Sequence, residues 1–172
     1  MKEGIAYDQI EFPEFLNDEL IVGLWNMFDK YIEDFLNKGR NNIKEPIGTV
    51  NNQIVKSCCN IFDSLVSEEY GFNPEGTDDY KTKFMTLAFI LAIAWSFGAG
   101  CYDKDQTRID NLIKKKFTSV FFPSDTVYNL KIDVAECKFK TWGDDLDKYK
   151  FDETLPFNDM IVPTVDSLKT SH

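Results

Sequence analysis

Few stretches of this chain hold side chains of a type and spacing that could do chemistry. Glu68-Glu69 and Asp144-Asp145, the latter behind Gly143, are the adjacent carboxylates that could divide acid and base work. Such a division needs environments that push the two pKa values apart. Both pairs instead sit in polar, loop-like runs where carboxylates are ordinarily solvated. Asp103-Lys104-Asp105-Gln106-Thr107 opens like a calcium loop, but Arg108 fills the sixth position and Lys114 the twelfth. Glycine and glutamate are required there, so no metal ligand set is assigned. Ser96 and Ser119 have no base to activate them, because His172, the last residue, is the only histidine. Serine–histidine, cysteine–histidine and histidine–metal chemistry are thereby set aside.

Phosphate chemistry fares no better. None of the nine glycines belongs to a GxxxxGK[ST] loop, whose amides would wrap a phosphate. Gly98-Ala99-Gly100 follows a helical pattern, not a strand, and reads as a helix terminator with a left-handed glycine. Lys114-Lys115-Lys116 could receive an anion. The alternative, a solvated last helical turn whose cations suit the dipole, is preferred in so acidic a chain. Cys58-Cys59 lie among four cysteines with no CxxC, which favours reduced, partly buried cytosolic thiols. No catalytic residue is assigned.

The elements that would position these groups begin with Phe84–Gly100. From Leu87 to Trp95 no polar side chain occurs, so a helix there is apolar on every face. It is too short to span a bilayer, which takes about 20 apolar residues. A buried central helix is expected over 80–97, with Trp95 inside and costing about 3–5 kcal/mol if truncated. A first helix is read from Phe12 through Leu16, Leu20, Leu24, Phe28 or Met27, Ile32 or Tyr31, and Phe35 or Leu36, to Gly39. A second follows Pro46, with Val50, Ile54, Cys58, Ile61 or Phe62, and Leu65 on one stripe, and ends near Gly71. A fourth starts behind Asp103 as N-cap with Gln106 three positions on, burying Ile109, Leu112, Ile113, Phe117 and Val120. After Pro123 the period becomes two, and Tyr128, Leu130, Ile132 and Val134 predict a strand. Cys137–Trp142 returns as its partner. Two strands are marginal alone, so the hairpin must lie on the helices or on a neighbour.

The fold expected is mainly α: a four-helix bundle over residues 1–122, a β-hairpin over 123–150 and an extended exit over 151–172. The chain has 172 residues, 19 basic against 29 acidic, for a net charge of −10. That argues against nucleic acid and acidic membrane surfaces as partners. No charged-then-apolar leader suggests secretion.

Four motifs in order carry a resemblance. They are Trp95-Ser96-Phe97-Gly98, then Arg108-Ile109-Asp110, then Val127-Tyr128 leading to Trp142, and finally Val162-Pro163-Thr164-Val165-Asp166. Together these resemble the dynein heavy chain between its second and third AAA+ modules, closer to axonemal than to cytoplasmic members. The likeness covers residues 84–169 well and residues 12–70 by pattern. Ile109, Asn129 and Lys169 depart from the family's usual phenylalanine, aspartate and arginine, which weakens the subtype alone. The resemblance implies a non-catalytic, AAA+ lid-type bundle from a much longer motor chain. ATP or ADP with magnesium would belong to the parent chain, and this piece would hold no cofactor. Its partners would be the flanking AAA+ modules, with no direct microtubule contact, in the cytoskeleton of the cytoplasm or axoneme. Lys81 and Lys83, at the start of the third helix, are the residues such a lid would bring towards nucleotide; solvated lysines are the plainer reading. A free-standing helical interaction module is the alternative function, and a small carboxylate enzyme the least favoured.

Overall fold

Leu20, Leu24, Phe28 and Ile32 recur at helical spacing and form the buried stripe of α1 (Asp18–Asp34). The computed structural model describes residues 17–39, 43, 45, 48–145 and 164. Phe12 and Leu16, the expected start of this helix, lie outside them. The Asn17 side chain caps α1 by accepting from the Leu20 amide at 2.9 Å, and the helix relaxes into a π-helical turn at Phe35–Gly39. Phe35 there is fully buried.

The second helix, α2 (Asn51–Leu65), buries Ile54, Val55, Cys58 and Phe62. Val50 is 60% exposed; as N-cap it precedes the stripe it was expected to join. Nor does the helix reach Gly71. It stops at Val66, and the next residues turn back with Gly71 donating to the Glu68 carbonyl at 2.9 Å. Gly71 has φ +104, and a Cβ on it would press Val134 at 3.3 Å, so glycine suits both the backbone and the packing there.

The central helix is α3 (Asp78–Gly98), capped by Thr77 and buried without interruption from Leu87 to Ala94. Trp95 departs from expectation. It is 38% exposed and meets the Tyr128 ring edge-on at 5.6 Å. The reason is rotational: α3 is enclosed from Leu87 to Ala94, but Trp95 turns to the side where Tyr128 approaches.

Directions follow from contacts along α3. Asn17 reaches Asp78 at 3.2 Å, Phe28 meets Phe89 at 4.6 Å and Phe35 meets Phe97 at 5.8 Å, so α1 runs parallel to α3. The fourth helix, α4 (Asp103–Lys116), returns antiparallel, with Gln106 at Gly98 and Phe117 near Phe89. Phe89 is the hub: Tyr31, Phe62 and Phe117 stand 6.2, 6.5 and 6.4 Å from it, besides Phe28. Ile109, Ile113 and Phe117 are buried as expected, while Leu112 and Val120 are only half-buried.

Two expectations about helix ends are corrected. Neither Gly98 nor Gly100 has positive φ; Ala99 caps α3 in a right-handed conformation, and the Cys101 amide closes the turn on the Gly98 carbonyl at 3.1 Å. Asp103 is the first residue of α4, not its cap. Tyr102 holds that position with no side-chain cap, and Gln106 reaches the Gly98 carbonyl at 3.1 Å instead. One carbonyl at the end of α3 thus finds a donor on the next helix.

The hairpin pairs β1 (Leu130–Asp133) with β2 (Lys138–Thr141) antiparallel, Leu130 opposite Thr141 and Asp133 opposite Lys138. Leu130, Ile132 and Phe139 turn inward and pack towards α3. Tyr128 was expected on the strand but belongs to a 3-10 turn, Val127–Asn129, and Trp142 opens another, Trp142–Asp145. Helices plus this small hairpin make the chain mainly α, as read from its sequence.

Candidate functional site

The residues singled out by motif come together where α3 ends. Gly98 is buried, and a Cβ on it would fall 1.8 Å from the Tyr128 hydroxyl. Its missing side chain is therefore the space that admits the phenol, a requirement of close approach and not of backbone conformation. Asp110, on α4 and 5% exposed, accepts from the Val127 amide at 2.8 Å and from the Lys114 ammonium at 2.9 Å. Lys114 also donates to the Asp125 carbonyl at 2.7 Å. The Asp125 carboxylate in turn accepts from the Thr126 amide and from the Asn129 side chain, at 2.7 and 2.9 Å. One carboxylate and one ammonium thus clamp the segment that starts the hairpin onto α4. Charge-assisted bonds of this kind are stronger than neutral ones.

Tyr128 closes the junction from the other side. Its hydroxyl is buried and has no hydrogen-bond partner among the described residues. Burial, reinforced by Cys101 and Asp110, pushes the phenol above its ordinary range, so it stays neutral. Ser96 donates to the Ile93 carbonyl at 3.3 Å and bonds the Cys58 thiol on α2. Burial is the main influence on that thiol and pushes it up to about 12. It is not a nucleophile near neutral pH. All four cysteines are without a disulfide.

The remaining motif residues do not join this cluster. Arg108 is exposed and pairs with Asp105 at 3.2 Å. Trp142 follows β2 at the open end of the hairpin, where Thr141 pairs with Leu130, and lies under the Lys131 ammonium, 4.8 Å from its ring. Lys81 is half-buried and Lys83 exposed near the start of α3, with Lys83 close enough to Cys137 to lower its raised thiol pKa slightly against burial. Val162, Pro163 and Asp166 lie outside the described residues; Thr164 is exposed.

The three-lysine run is not the solvated turn expected of it. Lys114 belongs to the Asp110 clamp, and Lys116 pairs with Asp34 at the end of α1. Asp34 also holds Lys38 at 2.6 Å, and these two cations, Lys116 first, keep its carboxyl below the usual range. The Asp110–Lys114 and Asp34–Lys38 pairs are helical neighbours four positions apart, whereas the Asp125 carbonyl and, for Lys116, Asp34 come from elsewhere in the chain, where no local pattern announces them. Asp125 was missed for the same reason, and Gln106, read as a capping partner of Asp103, instead donates to the Gly98 carbonyl. The available signal was composition: a carboxylate at Asp110, amid the buried positions Ile109 and Ile113, needs a partner.

Among the described residues no group of three histidine, cysteine, aspartate or glutamate side chains could hold a metal. No described helix is long and apolar enough to cross a membrane. What the cluster can do is mechanical: it joins a hairpin to a helical bundle through a fitted ring and a half-buried ion pair.

The comparisons with known proteins concern this same body. The sequence profile of the dynein heavy chain AAA lid domain matches residues 24–144, from the first turns of α1 to the end of the hairpin. Human dynein axonemal heavy chain 2 is 28% identical over 151 residues, 87% of this chain. The alpha chain of the flagellar outer arm dynein of Chlamydomonas reinhardtii is 25% identical over 150 residues, 84% of this chain. Dynein axonemal heavy chain 11 of Sus scrofa is 26% identical over 149 residues, 83% of this chain. In each case this chain spans 3% of the relative's length. A profile that covers the helices, the Asp110 clamp and the hairpin in one run identifies the family, and the chain belongs to the dynein heavy chain AAA lid domains.

Proposed function

We propose that this chain is the lid and hairpin extension of the second AAA+ module of an axonemal dynein heavy chain, and that it passes nucleotide-dependent motion between neighbouring modules. The observation that carries this reading is the coincidence of the lid family's span, residues 24–144, with the helices and hairpin joined by Asp110, Lys114 and Tyr128. A body clamped in this way moves as a unit. Displacement delivered to the helices therefore reaches the hairpin without being lost in a hinge. Residues 1–122 would form the bundle, 123–150 the extension, and 151–172 the exit towards the third module.

In this reading the chain does no chemistry. ATP or ADP with magnesium is held by the parent chain, and Lys81 and Lys83 are its nearest approach to nucleotide. Its partners are the flanking modules of the same heavy chain. Direct microtubule contact is disfavoured by charge, since tubulin is acidic and this chain carries −10, so the two repel over a Debye length. The working place is the cytoskeleton, in the axoneme.

The test is made in the whole heavy chain. Asp110→Ala should cut microtubule-stimulated ATP turnover and gliding speed while nucleotide binding by the other modules persists. Wild-type coupling in that variant, with proteolysis showing the hairpin loosened, would remove the mechanical reading. The chain by itself should neither hydrolyse ATP nor sediment with microtubules at physiological salt. Saturable sedimentation would favour the alternative, a free-standing interaction module.

A further inference from the structure

Where α4 ends, a basic run meets exposed hydroxyls. Lys115 and Lys116 close the helix, Phe117 caps it, and Thr118 and Ser119 follow in an exposed turn. That turn is held by the Val120 amide on the Phe117 carbonyl at 3.1 Å. From there to Thr126 the described residues add one further backbone bond, Asp125 to the Pro123 carbonyl at 2.7 Å. Phe121 within the segment is 76% exposed. So few backbone bonds and so exposed a ring let Thr118 to Phe121 open locally at low cost, while Phe122 stays stacked on Phe139 at 5.5 Å and Lys114 and Asp110 hold Asp125 and Val127. Lys115 is exposed and makes no ion pair among the described residues, whereas Lys116 is held by Asp34 of α1.

We propose that Thr118 is a phosphorylation site for a basophilic serine/threonine protein kinase, which takes Lys115 and Lys116 in its acidic subsites. The Thr118 hydroxyl oxygen attacks the γ-phosphorus of magnesium–ATP. An O–P bond forms, the bond to the β–γ bridging oxygen breaks, ADP leaves, and the hydroxyl proton passes to the kinase's carboxylate base. The kinase can use Lys116 only when Asp34 lets go of it. Phosphorylation therefore reads the state of the contact between α1 and α4.

The product acts back on that contact. A phosphothreonine brings about −1.5 to −2 charges and three strong acceptors. Two residues beyond Lys116, it competes with Asp34 for the ammonium. It also stands at the C-terminal end of α4, where the helix dipole disfavours an anion. A phosphate that draws Lys116 away from Asp34 in this way shifts the contact towards its open state. The inference rests on these helix ends and is independent of the lid assignment.

The test treats the chain with the catalytic subunit of a basophilic kinase and magnesium–ATP, and locates phosphate by mass spectrometry. One phosphate is expected on Thr118, lost in Thr118→Ala and kept in Ser119→Ala. Asp34→Asn should raise the initial rate about two- to fivefold, the factor expected for a partly exposed ion pair. Amide exchange at the last turn of α1 should quicken on phosphorylation of the unmutated chain, which checks the link without relying on a variant's folding. Phosphate on another residue overturns the site. So does no phosphate on the chain, whether or not a peptide of residues 112–123 accepts it. A rate indifferent to Asp34→Asn, or exchange unchanged by phosphate, overturns the coupling to α1.

Discussion

Around Phe89 the molecule is joined by rings from α1, α2 and the end of α4, all packed on one buried side chain. Around Gly98 it is joined by a phenol filling the place of a Cβ and by a carboxylate holding a backbone amide. The first contact is non-directional, and its strength is spread over many atom pairs. The second depends on a few atoms placed to within a fraction of an ångström. The core confers stability; the junction decides where the hairpin sits. The two joints should fail in different ways.

The largest effect should come from the core. Phe89→Ala removes the shared ring and should cost about 3–5 kcal/mol, read as a lowered urea midpoint. Phe89→Leu should recover much of that loss, because the contact is non-directional. If Phe89→Leu is as damaging as alanine, the core is keyed like the junction and the contrast disappears.

Asp110→Ala leaves the Val127 amide and the Lys114 ammonium without their acceptor. An orphaned buried donor costs about 1–3 kcal/mol. Here the loss should be local: amide exchange at Val127 and along the hairpin should rise well before that of α3. Uniform exchange across the chain would show that hairpin and bundle unfold together regardless of the clamp.

Gly98→Ala should cost about 1–3 kcal/mol, because the new methyl overlaps the Tyr128 hydroxyl and something must shift. Removing that hydroxyl should restore part of the loss, so a double-mutant cycle with Tyr128→Phe should show coupling. Tyr128→Phe alone should be neutral or slightly stabilising, since the lost group has no partner. Simple additivity would mean that the fit at Gly98 is loose.

Trp95→Ala should cost about 1–2 kcal/mol, well short of the loss expected of an enclosed ring, since what goes is mainly one edge-on aromatic contact. A cost near that of Phe89→Ala would place the ring inside the core after all.

The smallest effect concerns Asp34 and depends on pH. Its carboxyl is depressed in the folded state from an ordinary 3.8. Its contribution is therefore fully present above the unfolded value and is lost as pH falls through the lower folded one. Asp34→Asn should be less stable than the parent at pH 6, with the gap closing below pH 3.8. A gap constant with pH would show that the ion pairs at the end of α1 contribute nothing.

The sequence by itself determined the helices, the hairpin and the family. Periodic burial is a local property, so Leu20 to Ile32, Ile54 to Phe62 and the unbroken apolar run of α3 were each legible from spacing alone. The ordered motifs around Trp95, Asp110 and Val127-Tyr128 pointed to the lid family. Only the tertiary structure decided what those motif residues do. Gly98 reads as a terminator until Tyr128 is seen in its place, and Trp95 reads as core until the open side of α3 is known. Lys114 and Lys116 read as solvated until Asp125 and Asp34 arrive from elsewhere in the chain. The reason is range: a helix is specified by neighbours three and four positions away, whereas a fitted ring, or an ion pair between α4 and α1, is specified by residues that only folding brings into contact.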